Sequence, residues 1–168
     1  MGVIEYELLL DEERKPVLVK KNSEFSDADE FLDSPSKIAQ MFMVGCNAEY
    51  LPEEHIWMLA LNVKCKPIGM LEVAHGTNRN CMTSPRELFV RACVSGCDCI
   101  VVVHNHPSGI CTPSEEDDLV TKRLVGAGEL LGIPVVDHVI IGKDSYYSYA
   151  EQNEEVLKPK QTRKEQEE

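Results

Sequence analysis

The sequence predicts an α/β fold of the α+β kind, in which a mixed central sheet is flanked by helices. Apolar runs of strand length alternate with helical patterns in the order helix, strand, strand, helix, strand, helix, strand. The run "CDCIVVVHNH" has an unbroken β-branched centre, which is typical of a strand covered on both faces. A chain of 168 residues has the length of one domain with a real core.

Composition divides the chain into three regions. Residues 1–34 are rich in acids with only short apolar stretches, so we expect an acidic N-terminal arm or a peripheral hairpin. Residues 35–150 carry the periodic patterns and are expected to form the folded domain. Residues 151–168 end in "KPKQTRKEQEE", which offers nothing to bury, and are expected to form a charged, disordered tail.

The first half of the folded region predicts a helix and a strand pair. Ser34 followed by proline is typical of an N-cap and a first helical residue, and predicts a helix that runs to about Cys46. The runs "EHIWMLALNV" and "PIGMLEVAHG", separated by "KCKP", predict two antiparallel strands joined by a turn.

The second half alternates helices and strands. Ser84 and Glu87 have the spacing of a capping box and predict a helix before the buried strand "CDCIVVVHNH". A helical repeat of apolar residues then runs from Leu119 until Gly132, which is expected to end that helix. "PVVDHVIIG" predicts a last buried strand, and "SYYSYAE" predicts an edge strand.

Charge and composition exclude several classes of protein. The net charge of -12 disfavours binding to a phosphate backbone, although it leaves room for a local basic patch. The sequence has neither an apolar run near the length of a membrane span nor a secretory signal, so we expect a cytoplasmic protein. Seven cysteines, an odd number without an export signal, are expected to be reduced thiols.

A group of polar residues follows the buried strand. His104 and His106 are one residue apart, so on an extended strand both imidazoles project from the same face. Asp117 enters the next helix after a loop rich in proline and glycine, which can fold back toward the strand end. Two imidazole nitrogens and one carboxylate oxygen suit Zn²⁺ with an open position for water. Ser114 could supply a hydrogen-bond donor to an oxyanion.

A purely structural interpretation of the same residues stays open at this point. Ser114 and Asp117 are also a plausible helix start, with serine as N-cap and aspartate favoured by the helix dipole. A histidine on an apolar strand is often a hydrogen-bonded structural residue. The metal interpretation depends on the conjunction of two histidines on one face, the loop and the acid.

These residues resemble a known family. "HNHPSGICTPSEED" matches H-x-H-P-x6-S-x-x-D, the signature of the JAMM metalloproteases, also called MPN+ or JAB domains. "SPREL" and "LGIPVVDHVIIG" resemble the RadC branch of that family. The resemblance covers about residues 35–150 and implies a JAB/MPN fold, similar to that of cytidine deaminases. It also implies Zn²⁺ held by His104, His106 and Asp117, with Ser114 assisting at the tetrahedral intermediate.

The resemblance also implies a catalytic glutamate. The family's general base lies at the start of the strand after the first helix, which here makes Glu54 the first choice. Glu53 takes its place if the register slips by one residue, and Glu72, near the end of the next strand, is a third candidate.

The implied activity is that of a zinc metallohydrolase that cleaves a peptide or isopeptide bond in a peptide or protein substrate. The alternative is a RadC-type protein associated with DNA repair, which binds or cuts nucleic acid. RadC-like proteins commonly carry a helix-hairpin-helix region, and nothing before residue 35 predicts one, which together with the net charge favours the hydrolase. A third alternative is a binding module with a vestigial metal site. Nothing in the sequence indicates the oligomeric state.

Other residues are weaker candidates. Cys93, Cys97 and Cys99 could hold a structural zinc, but their spacing lacks a C-x-x-C knuckle and favours simple packing. His138 could make an outer hydrogen bond to a zinc ligand, but it is left out of the catalytic set because such residues often satisfy backbone groups. His55 has no partner that the sequence identifies, and the same is true of His75.

Overall fold

The computed structural model describes residues 3–25, 32–76 and 83–158. Within these residues, seven strands form one mixed sheet with helices on both faces, which confirms the predicted α/β fold. The strands are β1 (Val3–Leu10), β2 (Pro16–Phe25), β3 (Glu54–Leu61), β4 (Pro67–Gly76), β5 (Cys99–Asn105), β6 (Val135–Gly142) and β7 (Ser145–Ser148). The helices are α1 (Pro35–Gly45), α2 (Pro85–Ser95), α3 (Glu115–Leu131), α4 (Tyr149–Gln152) and α5 (Glu154–Leu157), with a short 3₁₀ helix at Ala48–Tyr50.

The sheet has the strand order β2-β1-β4-β3-β5-β6-β7. The pairs β1–β4 and β5–β6 are parallel, and the other neighbours are antiparallel. Strand β5 lies between β3 and β6, and all of its residues are buried, as its β-branched sequence predicts. The end of β5 therefore lies inside the fold, where side chains from two neighbouring strands and a helix can reach it.

Alternating side chains divide the core between the two faces of the sheet. On one face, α1 packs through Phe42 against residues such as Trp57 and Val103. On the other face, α2 and α3 pack against residues such as Met58 and Val102. The even-numbered residues of β5, which include His104, thus face α3.

The helix ends follow the predicted signals in part. Ser84 accepts a hydrogen bond from the Glu87 N–H, but the reciprocal half of the predicted capping box is not formed, since the Glu87 carboxylate contacts Arg86 and Arg91 instead. Ser34 occupies the N-cap of α1 without a side-chain cap bond. The proline that follows fixes the backbone at the first turn and makes this bond less necessary.

Two predictions about the C-terminal part need correction. The predicted strand "SYYSYAE" ends at Ser148, whose side chain accepts a hydrogen bond from the Glu151 N–H and so begins α4. The tail predicted from residue 151 begins later, because α5 buries Val156 against the fold. The remainder of that tail, 159–168, lies outside the described residues.

The N-terminal residues 3–25 form a β-hairpin that extends the sheet through the pairing of β1 with β4. Residues 1–2 and 26–31 of the predicted arm lie outside the described ranges, and the predicted boundary at residue 34 stays a prediction. Among the helices in the described part of the chain, none has the length and apolar character needed to cross a membrane.

Candidate metal centre

The candidate centre lies where β5 ends and α3 begins. His104 is the second-last residue of β5, and His106 follows the strand. The chain then turns at Gly109, which has a φ of 77°, a left-handed conformation that suits glycine. The Gly109 N–H donates to the His106 carbonyl at 2.9 Å, and its own carbonyl accepts from the Lys143 N–H at 2.8 Å. These bonds fold the loop back, so that the first turn of α3 faces the strand end.

The loop brings two imidazoles and one carboxylate together. The Nε2 atoms of His104 and His106 are 3.0 Å apart. The Asp117 carboxylate places Oδ1 3.3 Å from His104 Nε2 and Oδ2 3.4 Å from His106 Nε2. A tetrahedron with zinc–ligand bonds of about 2.0–2.1 Å has edges of roughly 3.3–3.4 Å, so these separations are close to those of three zinc ligands. The donor set therefore fits a tetrahedral divalent ion.

The tautomer of His106 is fixed by its other ring nitrogen. Its Nδ1 lies 2.7 Å from the Ile110 carbonyl oxygen. A carbonyl can only accept, so Nδ1 carries the proton and donates. In the neutral ring, Nε2 of His106 therefore presents a lone pair to the centre.

A chain of directed hydrogen bonds fixes His104 in the same way. The Thr121 hydroxyl donates to the Asp117 carbonyl at 2.6 Å, so its oxygen is left to accept from His138 Nδ1, also at 2.6 Å. His138 Nε2 then accepts from His104 Nδ1 at 2.7 Å. The Nε2 atom of His104 is left with a lone pair. His138 is 3% exposed and Thr121 is fully buried, so water does not compete for these bonds.

Two lone pairs and a carboxylate thus converge on one point, an arrangement that suits a bound cation. Burial alone would raise the pKa of Asp117, but its contacts with His104 and His106 hold that pKa well below the usual range. Burial alone would lower the pKa of His106, yet the Asp117 and Ile110 contacts raise it overall. Burial, together with the nearby His104, lowers the pKa of His138 far enough to keep that ring neutral.

Glu54, the first residue of β3, lies beside this group. Its Oε1 is 3.8 Å from His104 Nε2, beyond a hydrogen bond, and one ligand atom from each of Glu54, His104, His106 and Asp117 lies within 4.8 Å of the others. Glu53 is exposed and contributes no side-chain atom to this group. Glu72, the third predicted base, lies on the opposite face of the sheet. Of the three glutamates, only Glu54 shares a ligand cluster with His104 and His106.

Asn105, between the two histidines, holds the start of β3 in place. Its side-chain oxygen accepts from the His55 N–H at 2.7 Å, and its side-chain nitrogen donates to the Glu53 carbonyl at 3.0 Å. Both partners are sequence neighbours of Glu54, and Asn105 is fully buried. Strand β5, whose end carries the candidate metal ligands, therefore also positions the backbone of Glu54.

Ser114 is both the N-cap of α3 and a neighbour of the centre. Its side-chain oxygen accepts from the Asp117 N–H, while Ser114 donates to Asp117 Oδ2 from its hydroxyl at 2.6 Å and from its backbone at 2.7 Å. The helix start that the structural interpretation predicts, with Ser114 as N-cap, is thus present, and it takes the form of a full capping box. It is compatible with the metal interpretation, because the box turns the Asp117 carboxylate toward the histidines.

Residues 32–154 match the family model of the RadC-like JAB domain. The chain belongs to the RadC-like JAB domain family. This match confirms the resemblance carried by the histidine motif. The mixed sheet with its flanking helices is also consistent with a JAB/MPN fold.

Curated relatives of this JAB domain are bacterial proteins named UPF0758. The protein from Alkaliphilus metalliredigens is 41% identical over 122 residues, which are 73% of this chain and 52% of the relative. The protein from Thermotoga maritima is 42% identical over 105 residues, 62% of this chain and 47% of the relative. The protein from Caldanaerobacter subterraneus is 46% identical over 109 residues, 65% of this chain and 46% of the relative. The chain therefore spans about half the length of the curated relatives it matches.

The remaining sequence candidates lie elsewhere in the JAB domain. Cys93 is exposed, while Cys97 and Cys99 are buried. Among the described residues, neither of the two clusters that could hold a metal ion includes a cysteine. The outer hydrogen bond considered for His138 is formed with His104, although His138 was left out of the predicted catalytic set, and Thr121 was absent from the predicted site. Thr121 follows Asp117 by four residues, so its helical spacing was the one local signal that could have placed it beside that aspartate.

Proposed function

We propose that this JAB domain is a zinc-dependent hydrolase of peptide or isopeptide bonds, with His104, His106 and Asp117 as the metal ligands. The observation that supports it is the group of three ligand atoms at tetrahedral spacing, two of them with tautomers fixed by hydrogen bonds. Three protein ligands and one open position are typical of catalytic zinc sites. Zinc is the proposed ion because the three ligand atoms have the spacing of a tetrahedron, the geometry that zinc adopts with imidazole and carboxylate ligands.

Glu54 is proposed as the general base. When zinc is bound, it lowers the pKa of its water toward neutrality. The Glu54 carboxylate lies beside the ligand atoms without being bonded to them, so it is placed to accept a proton from that water. When the water oxygen bonds to the carbonyl carbon and the carbon–nitrogen bond breaks, the same carboxyl group would give the proton to the leaving amine nitrogen.

Ser114 is proposed as a donor to the oxyanion of the tetrahedral intermediate. Its hydroxyl donates to Asp117 in this structure, so it must rotate to reach a substrate oxygen. The Ser114 N–H also donates to the same carboxylate oxygen, so Asp117 keeps one of its two hydrogen bonds when the hydroxyl turns away. The Ser114 hydroxyl can therefore turn to a substrate oxygen while the Ser114 N–H still holds the Asp117 carboxylate.

The substrate proposed is a peptide or protein, with nucleic acid as the alternative. The net charge of -12 opposes the counterion release on which tight binding to DNA depends. Binding of the chain to single- or double-stranded DNA at low salt, and its loss as salt rises, would favour the alternative.

The test compares the parent with Glu54→Gln, using zinc analysis and cleavage of a fluorogenic peptide library and isopeptide-linked peptides. We expect Glu54→Gln to retain zinc while its turnover falls by roughly 10²–10⁴-fold, the usual contribution of a general base. Glu53→Gln, which changes a neighbouring exposed carboxylate, is the matched control and should remain active. A fully active Glu54→Gln variant, or zinc binding at this centre that survives His104→Ala with His106→Ala, would overturn the proposal.

A further inference from the structure

A second cluster of residues that could ligate a metal ion lies on the face of the sheet opposite the His104 centre. His55 in β3 and His75 in β4 are directly paired across the two strands, and Glu72 of β4 pairs with Trp57 of β3. A register shift between Ile56 and Trp57 brings Glu72 to the same face as the two histidines. This face is the one covered by α1, whereas the His104 centre faces α3.

The three side chains point at one another. Glu72 Oε1 is 2.6 Å from His55 Nδ1 and 3.3 Å from His75 Nδ1. One ligand atom from each residue lies within 4.8 Å of the other two. The two imidazole rings stack with centroids 5.3 Å apart, and both Nδ1 atoms lie near the same carboxylate oxygen. This is again a set of two nitrogens and one oxygen.

The position of His55 is constrained from two sides. The backbone N–H of His55 donates to the side-chain oxygen of Asn105 at 2.7 Å. Its ring stacks on the indole of Trp57 at 5.5 Å with an interplanar angle of 13°. A ligand held in this way loses little freedom when it binds an ion, since its rotamer is already selected.

The site is accessible to a cation from solvent. The His75 side chain is 62% exposed, so an ion can enter from solvent. The nearby ammonium of Lys21 is bonded to Glu5 at 2.5 Å, and so its charge is matched by a separate carboxylate. The Glu72 carboxylate can only accept, so Nδ1 of His55 carries the ring proton in this structure; an ion bound through Nδ1 takes the place of that proton, and the neutral ring then carries its proton on Nε2.

We propose that His55, Glu72 and His75 form a second site for a divalent transition-metal ion, in particular Zn²⁺, Co²⁺ or Ni²⁺. The site is separate from the His104 centre, and the inference does not depend on the hydrolase proposal. Imidazole and carboxylate ligands select this class of ion over the hard cations Ca²⁺ and Mg²⁺, which prefer oxygen alone. Because His55 is next to Glu54, an ion at this site also anchors the start of β3.

The chain contains its own reporter for this site, since Trp57 is its single tryptophan. The experiment uses the full chain with His104→Ala and His106→Ala, which removes the first centre. Co²⁺ is titrated while Trp57 fluorescence is recorded, and Zn²⁺ binding is measured by calorimetry. We expect saturable quenching and one equivalent of either ion. Intense thiolate-to-cobalt charge-transfer bands should be lacking, because they would place the ion on cysteine instead.

Two variants in this background test the ligands. His75→Ala changes an exposed side chain, and Glu72→Gln keeps the size of the carboxylate, so circular dichroism should show both to be folded. Loss of a residue that only hydrogen-bonds a metal ligand lowers metal affinity by at most roughly 100-fold. Because each variant removes a ligand itself, each should weaken Co²⁺ and Zn²⁺ binding by more than that. Glu53→Gln is the matched control and should bind as the background does. Lack of quenching in the background protein, or binding by His75→Ala and Glu72→Gln as tight as that of the background, would show that the three residues are only a hydrogen-bonded network.

Discussion

The hydrogen-bond chain behind His104 can be tested through Thr121→Val, which replaces the hydroxyl by a methyl group of similar size. Thr121 is fully buried, and its oxygen accepts from His138 Nδ1 at 2.6 Å. Without this acceptor, the His138 N–H is buried without a partner, at a cost of about 1–3 kcal/mol in the free energy of unfolding. The His138 tautomer is then free to change, and His104 Nδ1 is no longer fixed as a donor. We expect zinc affinity at the first centre to fall by roughly 10–100-fold, the usual cost of losing an outer partner.

Thr121→Ser is the matched control because it keeps the hydroxyl and loses one buried methyl group. It should lower the free energy of unfolding by about 1 kcal/mol and leave zinc affinity unchanged. Both variants are made with Glu72→Gln, so that the second site does not contribute. Zinc affinity is measured by competition with a chelator, and stability by urea unfolding of the metal-free protein. Parental zinc affinity in Thr121→Val, or equal losses in the valine and serine variants, would refute this reasoning.

The remaining predictions concern packing and thiol chemistry. A Cβ added at Gly128 would lie 2.5 Å from the Ile133 carbonyl oxygen, so Gly128→Ala should destabilise the protein by about 1–3 kcal/mol in urea unfolding. Gly126→Ala, in the same helix but with open space around its Cβ, should stabilise it by about 0.5–1 kcal/mol, and the same sign for both variants would contradict the packing argument. Burial raises the pKa of the Cys46 thiol to about 12, so iodoacetamide at pH 8 should modify exposed Cys65 well before Cys46, as judged by peptide mass spectrometry. Comparable labelling rates would show that α1 opens readily.

Local signals predicted the helices α1, α2 and α3 and the central strand. Ser84 and Gly96 are placed by short-range chemistry, a cap bond at one end of α2 and a left-handed residue with φ of 66° at the other. Strand β5 was recognisable because burial on both faces requires an unbroken apolar run. "SYYSYAE" was predicted wrongly, since Tyr149 has strand propensity but stacks on His138 in a buried position after Ser148 begins a helix.

The candidate site was predictable only in part. His104, His106 and Asp117 are close in sequence, so spacing and a familiar motif were enough to group them. Glu54 came from the family resemblance, because its contact with His104 depends on the pairing of β3 with β5. The residues that lie furthest apart in sequence gave no local signal of their contacts.

His138 illustrates this limit. It meets His104 because β5 and β6 are parallel neighbours, with Val102 opposite His138 in the register. Likewise, His55 had no partner in the sequence because its contact with Glu72 requires a register shift in the β3–β4 pair. Strand register and bulges follow from the packing of the whole sheet, which a single sequence does not reveal.

The candidate metal centre takes its side chains from the start of β3, the end of β5 and the first turn of α3, with β6 behind them. In the unfolded chain these segments have no fixed positions relative to one another, so no comparable cage for an ion exists there. An ion that binds the native state alone therefore adds to its stability, by about 2.7 kcal/mol at a free concentration of 100 times Kd. Metal supply would then set how long the chain resists heat and proteases.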